Sequence, residues 1–280
     1  MLTMKKLLRT LQVNFPAMLE LKFLLMRSAR TMLNKPFEYD FNAISLFPDI
    51  DDALYLDIGA NRGQSTDAIL MGKPNVRIQM FEPNRLLYEP LEDMFKGNSR
   101  ITLNNFGIGD KEISSPLFVP YYKKWMFDGL ASFDRSEAEG WLRDNLFNFD
   151  EGKQTLRETV CNIRRLDDLN LDPFFIKMDI QGFEYQALQG GKETLKCNTP
   201  ILLIEAPTKR IIEFLASLGY STYAYEDSKF VPNRTGKLNT FFMTPEKLNM
   251  IGNQHVKTAW SHTPLSLLPP QSQLILRYPI

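Results

Sequence analysis

Short apolar runs alternate with stretches of helical periodicity from residue 54 onward, and this alternation limits the possible folds more than any other feature of the chain. Seven runs have the length and composition of strands: Leu54–Ile58, Val76–Phe81, Arg100–Phe106, Phe174–Ile180, Ile201–Ala206, Tyr220–Tyr225 and Asn239–Thr244. Helical patterns follow the first, second, fourth and fifth runs. Apolar strands separated by helices are typical of a parallel sheet that is covered on both faces. The sequence therefore predicts a doubly wound α/β fold around a mostly parallel, seven-stranded sheet.

The same pattern divides the chain into a main domain at residues 51–245, a leader at residues 1–50 and an extension at residues 246–280. Residues 1–36 contain seven basic residues and one acidic residue. A basic, apolar helix can lie on an anionic membrane surface or dock on a partner, although most such helices pack on their own domain. We predict a helical basic leader with both alternatives open, and the extension stays unassigned.

Charge and cysteine content narrow the classes of function. Basic and acidic residues number 33 each, so the chain has no net charge, whereas a general nucleic-acid binder normally has a basic excess. The two cysteines, Cys161 and Cys197, lack a paired spacing, which is typical of a reducing compartment. We therefore expect a cytoplasmic protein that does not act on nucleic acid, and attachment of the leader to a membrane surface is the alternative location.

Residues 116–150 interrupt the alternation between the third and fourth predicted strands. Nine aromatic residues lie in this segment, about twice the chain average of 12%. An insertion at this point would lie near the carboxyl ends of the strands, where open α/β sheets bind their ligands. The segment is predicted to be a lid or an acceptor pocket, and a local apolar core without a ligand is the equal alternative.

The segment Tyr55-Leu-Asp-Ile-Gly-Ala-Asn-Arg-Gly63 reads as a strand, a turn and the start of a helix. Gly59 and Gly63 would allow the backbone to approach a ligand closely, and the helix start offers unpaired N–H groups. The carboxylate of Asp57 would repel a pyrophosphate but suit a cationic ligand. Asn61 stands where a dinucleotide fingerprint needs glycine, which weakens a nicotinamide dinucleotide as the ligand.

Glu82 ends the next predicted strand, 19 residues after Gly63. An acidic residue at about this separation is placed to accept hydrogen bonds from a ribose diol. Together with the glycine turn, it indicates a nucleoside-type cofactor. Asn105, after the third strand, would reach an adenine edge or, equally, stabilise a turn.

Three further carboxylates follow the fourth and fifth strands: Asp179, Glu184 and Glu205. Because neighbouring parallel strands end at one edge of the sheet, these groups are expected to converge on one crevice. Such a cluster is costly unless protons, a cation or a cationic substrate offset the repulsion. A carboxylate at a helix start, such as Glu184, can also be a simple cap.

At this point the chain resembles the FkbM-type family of S-adenosylmethionine-dependent methyltransferases over about residues 50–245. The matching segments are Asp57-Ile-Gly-Ala-Asn-Arg-Gly63, Phe81-Glu-Pro83, Gly129-Leu-Ala-Ser132, Lys177-Met-Asp-Ile-Gln-Gly-Phe-Glu184, Ala187-Leu-Gln-Gly-Gly191 and Leu203-Ile-Glu205. The resemblance implies a class I methyltransferase (Rossmann-like) fold that binds S-adenosylmethionine. It also implies O-methylation, often of a sugar or another small-molecule hydroxyl.

The resemblance also implies roles for the candidate residues. The cofactor would contact the first three strand ends through Asp57, Gly59, Asn61, Gly63, Glu82 and Asn105. The base that removes the acceptor's proton would be one of the three carboxylates Asp179, Glu184 and Glu205. These carboxylates would also suit Mg²⁺, but we favour catalysis without a metal because they can equally orient sugar hydroxyls. A small-molecule or glycan acceptor would contact Ser132, Trp125 and Tyr121.

Two other functional classes stay open at the level of sequence. One is a nicotinamide-dependent oxidoreductase on a Rossmann-like sheet, and the other is a binding protein that keeps the cofactor fold without catalysis. RNA or protein as methyl acceptor is a further alternative, which the neutral charge and the aromatic insertion disfavour. The oligomeric state is left open.

Overall fold

The computed structural model describes residues 16–146 and 149–257. Its strands are β1 (Leu54–Ile58), β2 (Arg77–Phe81), β3 (Ile101–Asn104), β4 (Gly107–Ile108), β5 (Ile113–Tyr122), β6 (Trp125–Met126), β7 (Gln154–Arg164), β8 (Pro173–Met178), β9 (Ile201–Glu205), β10 (Ser221–Glu226), β11 (Lys229–Pro232) and β12 (Asn239–Met243). Its α-helices are α1 (Pro16–Met32), α2 (Gln64–Gly72), α3 (Arg85–Phe95), α4 (Arg135–Asn145), α5 (Glu184–Gly190), α6 (Lys192–Asn198), α7 (Lys209–Ser217) and α8 (Pro245–Ile251). A 3-10 helix at Tyr39–Leu46 joins α1 to the first strand.

The main sheet has eight strands in the order β11-β10-β12-β9-β8-β1-β2-β3. The pairs from β3 to β9 are parallel, whereas β12 is antiparallel to both β9 and β10. The α/β class is confirmed, but the predicted seven-stranded sheet is wrong in its strand count, and the sheet is mixed. The additional strand, β11, is paired with β10 through a two-residue turn in which Asp227 and Ser228 both have positive φ. Such turns match the twist of antiparallel strands, and β11 is too short to stand out in the sequence.

Successive residues of the central strands contribute to two different cores. On one face, Tyr55 and Phe175 pack with Ile44 of the 3-10 helix and Ile69 of α2. On the other face, Leu56, Ile176 and their neighbours pack against the buried side chains Ala187, Leu188, Leu195, Ile211 and Leu215 of α5, α6 and α7. Burial on both faces explains why these strands appear as continuous apolar runs in the sequence.

A second sheet, in the order β4-β7-β5-β6, occupies the place of the predicted insertion. Strands β5 and β7 pair antiparallel from Ile113 opposite Ile163 to Tyr122 opposite Gln154. The segment is therefore larger than the predicted residues 116–150, because its sheet extends from Gly107 to Arg164. Strand β7 does not form an apolar run in the sequence, because its exposed residues include Arg157, Glu158 and Arg164.

The chain ends are described only in part. Residues 1–15 of the predicted leader and residues 258–280 of the predicted extension lie outside the described residues. Among the residues that the structure describes, no helix is both long enough and apolar enough to cross a membrane.

Candidate active site

A cleft that is partly open to solvent lies at the carboxyl ends of β1, β2 and β8. The strand order reverses between β1 and β8, and open α/β sheets bind their ligands at such a switch point. The main sheet supplies polar lining residues, which include Gly59, Asn61, Glu82, Asn84 and Asp179. The second sheet supplies the opposite wall, which includes Leu117, Asp128, Ala131 and Phe133.

Asp57 lies beneath the cleft and has no exposed surface (0%). Thr66 Oγ1 donates a hydrogen bond to its Oδ2 at 2.7 Å, and Lys177 Nζ lies 3.4 Å from its Oδ1. Burial raises the pKa of Asp57, and Lys177 and Thr66 partly offset this effect. Asp57 does not line the cleft, so it supports the turn from below.

Lys177 is a buried cation that sequence analysis did not select. Its Nζ donates to the carbonyl oxygen of Gly59 at 2.8 Å and lies 3.9 Å from Asp179 Oδ2. Burial alone would lower its pKa, but the carboxylates of Asp57 and Asp179 outweigh burial and raise it. Lysine is rarely buried without a partner. A lysine within the apolar run Phe174–Ile180 was therefore the sequence feature that could have pointed to a buried ion pair.

The two glycines of the turn are required by contacts within the protein. Gly59 has a φ of +82°, and a Cβ there would lie 2.0 Å from the carbonyl oxygen of Asp179. Gly63 has a φ of +77°, and a Cβ there would lie 2.8 Å from a ring carbon of Phe95. Gly59 also lines the cleft, whereas Gly63 faces α3.

Glu82 is buried at the end of β2, and backbone N–H groups hold both of its carboxylate oxygens. The N–H of Asn61 donates to Oε2 at 2.8 Å, and the N–H of Asn84 donates to Oε1 at 2.8 Å. Burial raises the pKa of Glu82 to about 7, although these two N–H groups act in the opposite direction. Each oxygen keeps a further lone pair, so the carboxylate can accept two more hydrogen bonds at the cleft.

Asn84 adds a donor that the sequence did not indicate. Its Oδ1 accepts from the N–H of Leu86 at 3.1 Å and thereby caps α3. Its Nδ2 is buried, and no acceptor among the described residues bonds to it. A buried donor without a partner is costly, and its position in the cleft lining fits a ligand that carries an acceptor atom.

Asn105 connects two strand ends. Its Nδ2 donates to the carbonyl oxygen of Glu82 at 2.9 Å. The residue does not line the cleft. Its hydrogen bond is the turn-stabilising contact that was the alternative to an adenine contact.

We call Gly59, Asn61, Glu82 and Asn84 the cofactor half of the cleft.

Carboxylates converge on the other side of the cleft. Asp179 follows β8 and lines the cleft, and Glu205 ends the adjacent strand β9. Burial, a hydrogen bond with Asp179 and the nearby carboxylates of Asp179 and Glu38 raise the pKa of Glu205 to about 8. Asp179 lines the cleft, and Glu38, Lys177 and Glu205 lie behind it. We call these four residues the acidic half.

Glu38 comes from the segment before the 3-10 helix, and no motif in the sequence points to it. Asn239 Nδ2 donates to Glu38 Oε2 at 2.7 Å and lies 3.2 Å from Asp40 Oδ2. Asn239 is paired with Glu205 in the sheet register. These contacts join residues about 200 positions apart. Within the described part of the chain, no group of three or more His, Cys, Asp or Glu residues is arranged to hold a metal ion.

Glu184 stabilises the turn that precedes its own helix. Its Oε1 accepts from the backbone N–H of Ile180 at 3.0 Å and of Gly182 at 3.3 Å. Both N–H groups lie before α5, so this contact differs from the helix cap that was the alternative for a carboxylate at a helix start. The side chain is buried, does not line the cleft and fixes the turn that carries Asp179.

The three predicted acceptor contacts lie inside the second sheet and do not line the cleft. Tyr121 packs with Leu117 and Cys161, and Trp125 packs with Tyr122 and Leu142. Ser132 is buried, and its Oγ accepts from the N–H of Asp134 at 3.0 Å. The contacts of Tyr121 and Trp125 are those of a local apolar core, which was the alternative to an acceptor pocket.

An ion pair between Arg62 and Asp128 joins the glycine turn of the main sheet to the second sheet. The guanidinium carbon of Arg62 lies 5.6 Å from the ring centre of Trp125. Asp128 lines the cleft, so this pair fixes the second sheet above the cofactor half.

Comparison with known proteins gives one family. The family described as "Methyltransferase FkbM domain" matches residues 57–222, more than half of the chain. The AMB antimetabolite synthetase AmbE of Pseudomonas aeruginosa is 28% identical over 195 residues, which cover 61% of this chain and 9% of the synthetase. This chain therefore corresponds to about a tenth of that relative's length.

Two solved structures are similar at low identity. Methyltransferase FkbM from Methylobacillus flagellatus is 20% identical, with a TM-score of 0.45 over 71% of this chain and 47% of its own. A precorrin-6y C5,15-methyltransferase from Geobacter metallireducens is 18% identical, with a TM-score of 0.36 over 71% of this chain and 83% of its own.

Proposed function

Because this chain belongs to the FkbM methyltransferase family, we propose that it transfers a methyl group from S-adenosylmethionine to a hydroxyl of a sugar, glycan or other small molecule. The observation that carries the proposal is Glu82, a buried lining residue of the cleft whose carboxylate is held by two backbone N–H groups. The family match supports methyl transfer rather than the nicotinamide-dependent oxidation that the sequence alone left open.

The cofactor half fits a nucleoside. Glu82 would accept hydrogen bonds from both ribose hydroxyls, and Asn84 Nδ2 would donate to an acceptor atom of the same ligand. Ile108, Leu117 and Phe133 line the cleft nearby and offer an apolar surface to a purine ring. Gly59 and Asn61 would lie along the methionine portion. When bound, S-adenosylmethionine supplies a methyl group that its positively charged sulfur already activates.

The acidic half would handle the acceptor. Asp179 lies at the cleft surface, where its carboxylate can accept the proton of an acceptor hydroxyl. Glu205 is neutral below pH 8 because of its raised pKa, so it donates a hydrogen bond to Asp179 and orients it. Lys177 limits the repulsion between Asp179 and the buried Asp57. General-base assistance of this kind is typically worth about 10²–10⁴ in rate.

The test is methyl transfer by the purified chain. Radiolabelled S-adenosylmethionine is incubated with the protein and a panel of sugars, glycans and small hydroxyl compounds. We expect label on a hydroxyl oxygen of at least one compound. In Asp179→Asn the rate should fall by about 10²–10⁴, while affinity for S-adenosylhomocysteine, measured by titration calorimetry, stays the same.

Asp168→Asn, an exposed aspartate outside the cleft, is the matched control and should retain the full rate. An active acceptor that Asp179→Asn methylates at the normal rate would contradict the role of Asp179. Tight binding of S-adenosylhomocysteine without transfer to any hydroxyl of the panel would favour a binding protein.

A further inference from the structure

Helix α1 exposes one apolar face. Among its described side chains, Leu24 is 58% exposed, Leu25 61% and Met32 85%. The exposed Ser28 and Ala29 lie between them. At about 100° per residue these five positions share one side of the helix, and none of them carries a charge. A continuous apolar face of this kind marks an interaction surface more often than a single exposed leucine does.

The opposite face of α1 is anchored to the domain, so the direction of the apolar face is fixed. Arg27 forms a two-point ion pair with Asp67 of α2, at 2.5 Å and 2.7 Å. The ring of Phe23 is stacked on that of Trp125, with 6.5 Å between the ring centres.

The apolar surface continues beyond the helix. Leu24 and Leu86 border a groove between α1 and α3, whose other apolar lining residues include Pro90 and Met94. Leu86 is itself exposed. The groove adjoins the active-site cleft, because Leu87 and Asn61 line both. The exposed face therefore lies beside a groove that shares two lining residues with the cleft.

The charge of the chain distinguishes two candidates that could bind this face, a second copy of the chain and an anionic bilayer. Residues 1–36 carry a net charge of +6, so residues 37–280 carry −6 because the whole chain is neutral. Lys22 and Lys35, on and after α1, are exposed. A second copy that used the same face would bring two strongly positive segments together. An anionic bilayer instead offers negative charge and an apolar interior to one helix lying in its surface.

We propose that the apolar face of α1 docks on an anionic phospholipid bilayer, with the helix parallel to the membrane surface. Leu24, Leu25 and Met32 enter the acyl region, and the neighbouring lysines contact the headgroups. The groove between α1 and α3 then opens toward the bilayer. This proposal stands independently of the methyl-transfer reaction.

The experiment is cosedimentation of the full chain with vesicles. One set contains equal parts of phosphatidylglycerol and phosphatidylcholine, and the other contains phosphatidylcholine alone. We expect binding at least about tenfold stronger to the anionic vesicles, reduced by high salt. Leu24→Ser/Leu25→Ser should weaken that binding by about tenfold or more, and Lys22→Gln/Lys35→Gln should do so to a similar extent.

The matched control is Val160→Ser/Leu238→Ser, which removes two exposed apolar side chains elsewhere on the molecule and should bind as the unmodified chain does. Circular dichroism establishes that each variant is folded. Absence of binding to anionic vesicles would overturn the proposal, as would equal binding by Leu24→Ser/Leu25→Ser. Sedimentation equilibrium that shows a dimer dissociated by that double substitution would assign the face to a second copy instead.

Discussion

The two halves of the cleft hold their carboxylates by different means. In the cofactor half, Glu82 is fixed by backbone N–H groups of two neighbouring turns. In the acidic half, the contacts are between side chains: Lys177 Nζ lies 3.9 Å from Asp179 Oδ2, and the carboxylates of Asp179 and Glu38 raise the pKa of Glu205. Backbone N–H groups hold a fixed position, whereas the charges of neighbouring carboxylates depend on one another. The difference indicates a binding half that the backbone preorganises and a chemical half whose carboxylates act on one another.

The largest expected effect tests whether Lys177 is the charge that allows the acidic half to form. Lys177→Met keeps the length of the side chain but leaves Asp57 buried without a cation. We expect the free energy of unfolding, measured by urea denaturation, to fall by about 3–5 kcal/mol.

Lys153→Met is the control, because it breaks an exposed ion pair with Asp150 and should leave the free energy of unfolding nearly unchanged. Equal losses in the two variants would mean that the buried cation does not support the site.

A second loss of stability is expected where the two halves touch. In Gly59→Ala the new Cβ collides with the carbonyl oxygen of Asp179, so the turn and the end of β8 must separate. Gly97 has a similar φ of +86°, and a Cβ there would meet nothing within 4 Å. Gly97→Ala should therefore cost only the backbone strain, about 1–2 kcal/mol.

Gly59→Ala should cost at least about 2 kcal/mol more than Gly97→Ala in thermal denaturation. Similar costs for the two variants would show that the halves are not in close backbone contact.

The smallest expected effect is a change in the rate of methyl transfer with pH. A carboxyl whose pKa is raised is neutral below that pKa and charged above it. Glu205 therefore loses its proton near pH 8, and the carboxylate that forms beside Asp179 favours removal of a proton from the acceptor hydroxyl. We expect the rate to rise as pH increases through about 8.

In Glu205→Gln that rise should disappear, because the amide cannot release a proton, and the rate should stay at the low-pH level. Glu213→Gln, an exposed position on α7, should keep the unmodified profile. An unchanged rise in Glu205→Gln would assign the titration to another group.

The sequence predicts the cofactor half better than the acidic half, and the reason is distance along the chain. Gly59, Asn61 and Glu82 follow the ends of two consecutive strands, so alternation and local motifs place them at one edge of the sheet. Glu38 is held by Asn239, about 200 positions away, and no local pattern encodes such a contact.

Other candidate residues rest on features that sequence patterns do not separate. A carboxylate at a helix start looks the same whether it reacts or holds the backbone, and Glu184 accepts a hydrogen bond from the N–H of Ile180. An aromatic-rich insertion looks the same whether its rings face a ligand or each other. Tyr121 and Trp125 are buried within the second sheet. Strand β7 combines alternating burial with many charges, so its pairing with β5 becomes visible only in three dimensions.

The most direct test of the account is titration calorimetry with S-adenosylhomocysteine on the unmodified chain and on Glu82→Gln. The substitution removes a charged acceptor and places an amide NH₂ against a backbone N–H, and a hydrogen bond to a charged group contributes about 1.5–3 kcal/mol. We predict binding by the unmodified chain and affinity about ten- to a hundredfold weaker in Glu82→Gln, with Glu89→Gln on the exposed face of α3 unchanged. Absence of binding at millimolar ligand, or equal affinity in Glu82→Gln, would contradict the assignment of this cleft to a nucleoside cofactor.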